Sequence, residues 1–216
     1  MLTPDGIQAA LCRPLPGRKA QKRMAPDSGL PILPLPDREP KQSGVLLLLY
    51  PSPETGDLSL LLTRRTETVA DHKGQISFPG GGFEPHDTTV SDTAMREACE
   101  EVGVCSDDIR LLGPLTPLYI PPSNFCVHPF VAYTPYRPPF MAQPEEVAEL
   151  LEVPLSHLLD ERNVVEEEWV LGGAPTRVPF FQVHGHKVWG ATAVVLAEFV
   201  AVLKGLCGDT GEEPSP

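Results

Sequence analysis

Apolar positions in this chain fall into short runs separated by turn residues, with only two stretches of helical period. VLLLLY (residues 45–50) and LSLLLTRR (58–65) are nearly continuous apolar runs divided by PSPETGD, which predicts two buried strands joined as a hairpin. GQISF (74–78) reads as the next strand and runs into a turn made of Pro79 and three glycines. From Val90 the period changes. Val90, Ala94, Ala98 and Val102 recur every fourth residue, one apolar stripe of a helix that stops at Gly103. IRLLGPLTPLYI and FCVHPFVAYT are strand-like again, divided by PPSN. A strand is expected near Val147 to Val153 and a short helix from Pro154 to Leu159. VVEEEWVL and TRVPFFQVHGHKVW form a further hairpin around GGAP. GATAVVLAEFVAVLKGL then has helical period (Ala193, Val194, Ala197, Val200, Ala201) and a stop at Gly205. Strands before and after one central helix predict a mixed sheet, and periodicity alone leaves several α+β arrangements open.

The ends differ from this body. Residues 1–43 read as a Pro-rich N-terminal extension: a short helix is compatible with Asp5 to Cys12, but prolines 14, 16, 26, 31, 34, 36 and 40 break anything longer. PILPLP is expected to be an extended arm or a mobile one, so that residues 1–35 are removable with a soluble product retained. Residues 44–205 form the main domain, and residues 206–216 read as a flexible acidic tail.

Composition narrows the functions open to such a domain. The formal charge is −12 over 216 residues, and 25 of the 29 acidic residues lie after residue 43. A general nucleic-acid binder needs a phosphate-neutralising basic stripe, and none is visible. No run approaches the roughly 20 apolar residues of a membrane span, and the N-terminus lacks the apolar core of a signal peptide. Five scattered cysteines (12, 99, 105, 126 and 207) have neither CxxC nor zinc-site spacing, so reduced thiols are expected, with Cys99 a small packing residue of the helix. The chain is therefore expected to be soluble and cytoplasmic, an organelle remaining open, and it allows a homodimer as well as a monomer.

The acidic excess has one concentrated point. Glu97, Glu100 and Glu101 fall on one side of the central helix, and three neighbouring carboxylates repel each other. Arg96, four residues before Glu100, offsets part of this but cannot neutralise all three. A charge-rich helix face is more often simply solvated, yet that reading leaves the glycine turn ahead of it without a purpose. Hard oxygen ligands at this spacing suit Mg²⁺ or Mn²⁺, and glycines let backbone approach an anion or offer a carbonyl to the same ion.

These residues resemble a Nudix box, Gly-x5-Glu-x7-Arg-Glu-U-x-Glu-Glu-x-Gly-U, with U a bulky aliphatic. Gly81, Arg96, Glu97, Glu100, Glu101, Gly103 and Val104 match. Asp87 stands at the first Glu, with eight residues before Arg96 instead of seven, and Ala98 replaces the aliphatic. The resemblance implies an α/β/α sandwich with a mixed sheet and a metal-dependent phosphoanhydride hydrolase. Glu97, Glu100, Glu101 and the Gly81 carbonyl are then the expected metal ligands, and Arg96 orients the glutamates. The first acid of the box supports the loop and does not bind metal. The general base is left among Glu97, Glu100 and Glu146, the last on a loop that reaches toward the metals in such folds; Glu145 and Glu146 are equally well read as two solvated acids.

LLTRRTETVADHKGQISFPGG is similar to the signature of the coenzyme A pyrophosphatase branch of that family. Leu61, Leu62, Thr63, Arg65, Gly74, Phe78, Pro79, Gly80 and Gly81 fit, Thr66 takes a Ser/Ala place, and Ala70 stands where an arginine is expected. This implies a small-molecule substrate, coenzyme A or its thioesters, whose 3′-phosphate requires a cation. Arg64, Arg65, His72 and Lys73 are the candidates, with Gly80 and Gly82 lining the phosphates. ADP-ribose or another nucleoside diphosphate derivative, a damaged nucleoside triphosphate, and a non-catalytic nucleotide-binding module are the competing readings.

Overall fold

The computed structural model describes residues 2–26, 39–66, 74–105 and 107–208. In chain order the elements are α1 (Pro4–Leu11), α2 (Gly17–Gln21), β1 (Lys41–Pro51), β2 (Leu58–Arg65), β3 (Ile76–Ser77), β4 (Gly80–Gly82), α3 (Val90–Val102), β5 (Arg110–Pro114), β6 (Leu118–Ile120), β7 (Phe125–Tyr133), β8 (Val147–Pro154), α4 (Leu155–Leu159), β9 (Val164–Leu171), β10 (Ala174–Val183), β11 (His186–Val188) and α5 (Gly190–Gly208). The main sheet runs β3-β2-β1-β7-β5, with β4 also paired to β1, β6 to β7 and β8 to β2. It is mixed as expected. β1 pairs parallel with β7 from Lys41↔Phe125 to Leu49↔Tyr133, and β2 lies antiparallel on its other side. β9, β10 and β11 make a separate three-stranded sheet.

β1 is apolar without alternation because both of its faces are covered. Leu46, Leu48 and Tyr50 pack on one side with Leu61, Ala132 and the α3 residues Ala94, Ala98 and Val102. Leu47 and Leu49 pack on the other with Leu60, Leu62, Val131 and the α5 residues Val195, Phe199 and Leu203. The result is an α/β/α sandwich. Small residues at Ala94 and Ala98 bring α3 close to the sheet. At Gly44 a Cβ would run into the Val90 carbonyl and lie 2.9 Å from the Ala94 nitrogen, so this strand position tolerates no side chain.

Several boundaries differ from the sequence reading. β1 starts at Lys41, three residues before Gly44, where it pairs with β7, and α5 continues past Gly205 to Gly208. IRLLGPLTPLYI is divided into β5 and β6. PILPLP and the tail beyond Gly208 lie outside the described residues. Cys99 and Cys105 are disulfide-bonded, which corrects the expectation of reduced thiols at these two positions; Cys12, Cys126 and Cys207 are in no disulfide among the described residues. The loop after Gly103 folds back along the helix and brings them together, a proximity that six residues of sequence separation do not by themselves imply.

The N-terminal segment contributes to the core. Ile7, Leu11 and Met24 are buried in the cluster that includes α5. Gln21 donates to Glu198 of α5 at 2.9 Å, and Gly17 N–H (3.1 Å), Thr116 N–H (3.2 Å) and the Thr116 hydroxyl (2.6 Å) complete the ligation of this buried carboxylate. A buried charge is tolerable only with such partners. By length and composition alone α5 could cross a membrane (19 residues, with a window of mean hydropathy 1.8), which corrects the expectation that no run approaches a span. Just over half of that window (56%) is buried, and Glu198 lies within it. Deleting residues 1–26 is therefore expected to lower Tm by about 10 °C or more, since several buried side chains at ~2–5 kcal/mol each are lost together with two partners of Glu198. A thermal melt equal to that of the full chain would show these helices to be dispensable.

Candidate active site

The central helix forms where its capping residues place it. The Thr89 hydroxyl accepts from Asp92 N–H at 3.2 Å while the Asp92 carboxylate accepts from Thr89 N–H at 2.8 Å, a reciprocal box at the N-terminus. At the other end Gly103 adopts φ 74°, the left-handed conformation that closes a helix and favours glycine. Between these ends Glu97 and Glu101 stand one turn apart and point inward, with side chains only 16% and 4% exposed. Glu100 lies on the rim at 58%.

Each inward carboxylate is held by the glycine turn. Gly80 N–H donates to Glu101 Oε2 at 3.2 Å, and Arg65 Nη1 lies 3.4 Å from Glu101 Oε1. A Cβ on Gly81 would occupy the space of the Glu97 carboxylate. Gly81→Ala is accordingly expected to push Glu97 out of place and cut kcat by about 10–100-fold, the range typical of disturbing the groups around a metal site. Unchanged kinetics with intact fold would sink that assignment.

Arg96 is the organiser of the face. Its Nε and Nη2 grip Asp87 Oδ1 and Oδ2 at 3.0 and 3.1 Å, Nη1 donates to Glu97 at 2.9 Å and Glu100 at 3.0 Å, and Nη2 also reaches the Gly82 carbonyl at 3.2 Å. Asp87 further accepts from the Thr93 hydroxyl and Glu84 N–H, both at 2.9 Å. The Arg96 guanidinium and these donors hold the Asp87 carboxyl well below the usual carboxylate range. Asp87 therefore anchors the loop through Arg96, as expected of the first acid of the box, despite its shorter side chain and the inserted residue.

Burial acts in the opposite direction on the inward pair. It raises the Glu97 carboxyl, with Arg96 pulling against it and Glu100 and Glu146 adding to it. Burial raises Glu101 more strongly, to about 7, against the lowering effects of Gly80 and Arg65, with Glu146 and Glu97 contributing further repulsion. Glu146 is thus near enough for its charge to act on both. Its loop is docked on the end of α3: Gln143 N–H donates to the Glu101 carbonyl at 2.8 Å and Met141 N–H to the Val102 carbonyl at 3.0 Å. Thr66 fixes the far side, its N–H donating to the Glu146 carbonyl and its hydroxyl to the Glu145 carbonyl, both at 2.9 Å.

The sequence candidates separate into groups. Glu97, Glu101, Glu146, Arg96, Gly80, Gly81, Gly82 and Arg65 come together. Glu100 stays at the edge. Arg64 is turned to Glu149 (3.0 Å), which also meets His186 at 3.2 Å, so it does not share the Glu101 carboxylate with Arg65. His72 and Lys73 lie outside the described residues. Thr66, Thr93, Met141 and Gln143 escaped sequence reasoning as supports of the site. Their roles depend on which carbonyls and carboxylates the fold leaves to be satisfied.

The donor set fits a divalent cation. Among the described residues no three acidic, histidine or cysteine side chains converge into a closed ligand cluster. Mg²⁺ seldom uses such a cage; one or two carboxylates, waters and substrate phosphates suffice. Glu97 is half-buried and Glu101 buried, and Arg65 and Arg96 only partly offset their mutual repulsion and that of Glu146. A hard cation between them would relieve both the desolvation and the repulsion.

Comparison with known proteins agrees with this geometry. The family model described as NUDIX domain matches residues 40–171. A protein named Nudix hydrolase NudL from Photorhabdus laumondii is 36% identical over 156 residues, covering 72% of this chain and 81% of the relative. Its namesake from Yersinia enterocolitica is 36% identical over 154 residues, covering 71% and 77%. Among solved structures, a NUDIX hydrolase from Alicyclobacillus acidocaldarius superposes with TM-score 0.52 at 16% identity, over 74% of this chain and 91% of that one. A Nudix hydrolase from M. smegmatis gives 0.51 at 15% identity, over 89% and 98%. A half-buried Glu97 and a buried Glu101 on a capped helix behind a glycine turn are carried on an α/β/α sandwich. The chain belongs to the Nudix family.

Proposed function

We propose that this protein hydrolyses the diphosphate linkage of coenzyme A or its thioesters in the presence of Mg²⁺ or Mn²⁺, giving adenosine 3′,5′-bisphosphate and a 4′-phosphopantetheine product. The observation that carries the reaction class is the half-buried Glu97 beside the buried Glu101, with the Glu146 charge felt by both, more carboxylate than the neighbouring arginines neutralise. A bound divalent cation withdraws charge from the phosphates and acidifies water. Glu97 and Glu101 would hold it, and Arg96 fixes Glu97 while anchored to Asp87 and the Gly82 carbonyl. Glu146 takes a proton from the attacking water, because its loop brings it to the pair without tying its carboxylate to the helix. Water oxygen bonds to one phosphorus as the bridging P–O bond breaks, and the departing phosphate keeps the electron pair.

The substrate assignment rests on the similarity of LLTRRT and GQISFPGG to the coenzyme A branch. One observation favours a second reading. Ala70 stands at the expected arginine, and Arg64 and Arg65 pair with Glu149 and Glu101, which draws two cations away from a 3′-phosphate. On that reading the substrate is ADP-ribose or another diphosphate without one. The test is a product assay with coenzyme A, 3′-dephospho-coenzyme A and ADP-ribose, each with Mg²⁺ or Mn²⁺. Metal-dependent release of adenosine 3′,5′-bisphosphate with coenzyme A the best substrate supports the first reading. Faster cleavage of ADP-ribose supports the second, and no cleavage of any substrate leaves a nucleotide-binding role.

A further inference from the structure

The cross-link between Cys99 and Cys105 sits where the two halves of the site are joined. Cys99 is in α3 between Glu97 and Glu101, and Cys105 lies two residues after the Gly103 cap. The segment they bracket closes by Gly103 N–H to the Cys99 carbonyl (3.0 Å) and Val104 N–H to the Ala98 carbonyl (3.3 Å). Two of the carbonyls that any helix leaves over at its C-terminus, those of Glu101 and Val102, lie inside the bracket. They receive Gln143 N–H and Met141 N–H, and these two bonds dock the loop that carries Glu146. A Cβ on Gly103 would come within 3.1 Å of Met141 Cβ, so cap and loop are in direct contact.

We propose that the Cys99–Cys105 disulfide is a positioning element for Glu146: it fixes the cap of the catalytic helix, the cap fixes the 141–146 loop, and reduction of the bond loosens that docking and slows the chemical step. The loop it closes is short, with a sequence separation of 6, so it constrains little of the unfolded chain and acts locally. Reduction is a two-electron exchange. A dithiol reductant attacks one sulfur and then displaces itself by closing its own disulfide, leaving Cys99 and Cys105 as thiols; a small-molecule disulfide reverses the exchange. Cys105 is exposed and offers the sulfur to attack. The role assigned to Glu146 rests on the proposed hydrolase reading, whereas the docking of the loop does not.

The full-length protein is prepared oxidised and after reduction with dithiothreitol, its thiols are counted, and amide hydrogen exchange is followed at Met141 and Gln143 alongside kinetics. The expected result is two additional thiols on reduction, exchange at both amides faster by about tenfold, and kcat lower by about 3–10-fold with KM for coenzyme A within twofold. The Cys99→Ser/Cys105→Ser variant should match the reduced protein and no longer respond to dithiothreitol. Equal exchange in the two states, or all five thiols already counted before reduction where three are expected, overturns the proposal even if the variant fails to fold. Faster exchange with kcat unchanged overturns the link to Glu146. If neither state cleaves any diphosphate, the hydrolase reading fails, and the exchange result alone decides whether the cross-link holds the loop.

Discussion

Glu101→Gln is expected to abolish metal-dependent turnover while making the metal-free protein more stable at alkaline pH. Loss of one of the two carboxylates proposed to hold the cation would remove several kcal/mol of charge stabilisation, on the order of a 10³-fold fall in rate. The stability effect has the opposite sign. The Glu101 carboxyl stands at about 7 in the fold against an ordinary 4.5, raised chiefly by burial. Between those values the folded chain holds a proton that the unfolded chain has released. The contribution to stability is therefore fully present below about pH 4.5 and is lost as pH rises through about 7. Above that the charged carboxylate costs folding at most roughly 3 kcal/mol. Glutamine carries no such charge and still offers an oxygen to Gly80 N–H. With chelator present, Tm of the variant should exceed that of the parent by several degrees at pH 8, and the two should converge at pH 4.5. A variant that melts below the parent at pH 8, or that turns over normally, removes Glu101 from this role.

Arg96→Ala should also damage catalysis, though less than Glu101→Gln, without removing either proposed cation ligand. Arg96 links Asp87, the Gly82 carbonyl, Glu97 and Glu100, and its loss frees Glu97 to swing and leaves Asp87 without its principal counter-charge. An expected fall of about 10–100-fold in kcat, with more Mg²⁺ needed for half-maximal rate, follows from misplacing a ligand. Arg96→Lys should recover little, because a lysine has no planar fork to grip both Asp87 oxygens while bonding two glutamates. Asp87→Ala should reproduce most of the kinetic defect, and the double substitution should be little worse than either alone, since both act through one linkage. Additive losses would show that the two residues serve separate purposes.

Much of the fold is legible from the linear pattern. The α3 boundaries could be read from the spacing of Val90, Ala94, Ala98 and Val102 and from Gly103, because a helix packs through one stripe and ends where a left-handed residue can close it. The hairpins around Gly172 and before Leu58 could be read for a similar reason, as turn chemistry is local. What could not be read was how far each element extends when its neighbour supplies the missing partner. β1 gains its first residues, Lys41 to Ser43, by pairing with β7 more than eighty residues away. The N-terminal helices, which prolines made look like a loose arm, are held by burial of Ile7 and Leu11 and by Gln21 meeting Glu198.

The division is the same at the site. The sequence by itself determined the chemical inventory: the clustered glutamates, the arginine between them, the glycines ahead and the acidic loop at 145–146. These are properties of residue type and helical spacing, which survive without knowledge of the rest of the chain. Only the tertiary structure decided that Glu101 is buried and Glu97 half-buried while Glu100 faces out, that Arg65 turns to Glu101 and Arg64 to Glu149, and that Cys99 meets Cys105. Burial, desolvation and pairing depend on what the opposite side of each group touches: for the arginines a partner 36 or 85 residues away, and for the cysteines the fold of the turn between them.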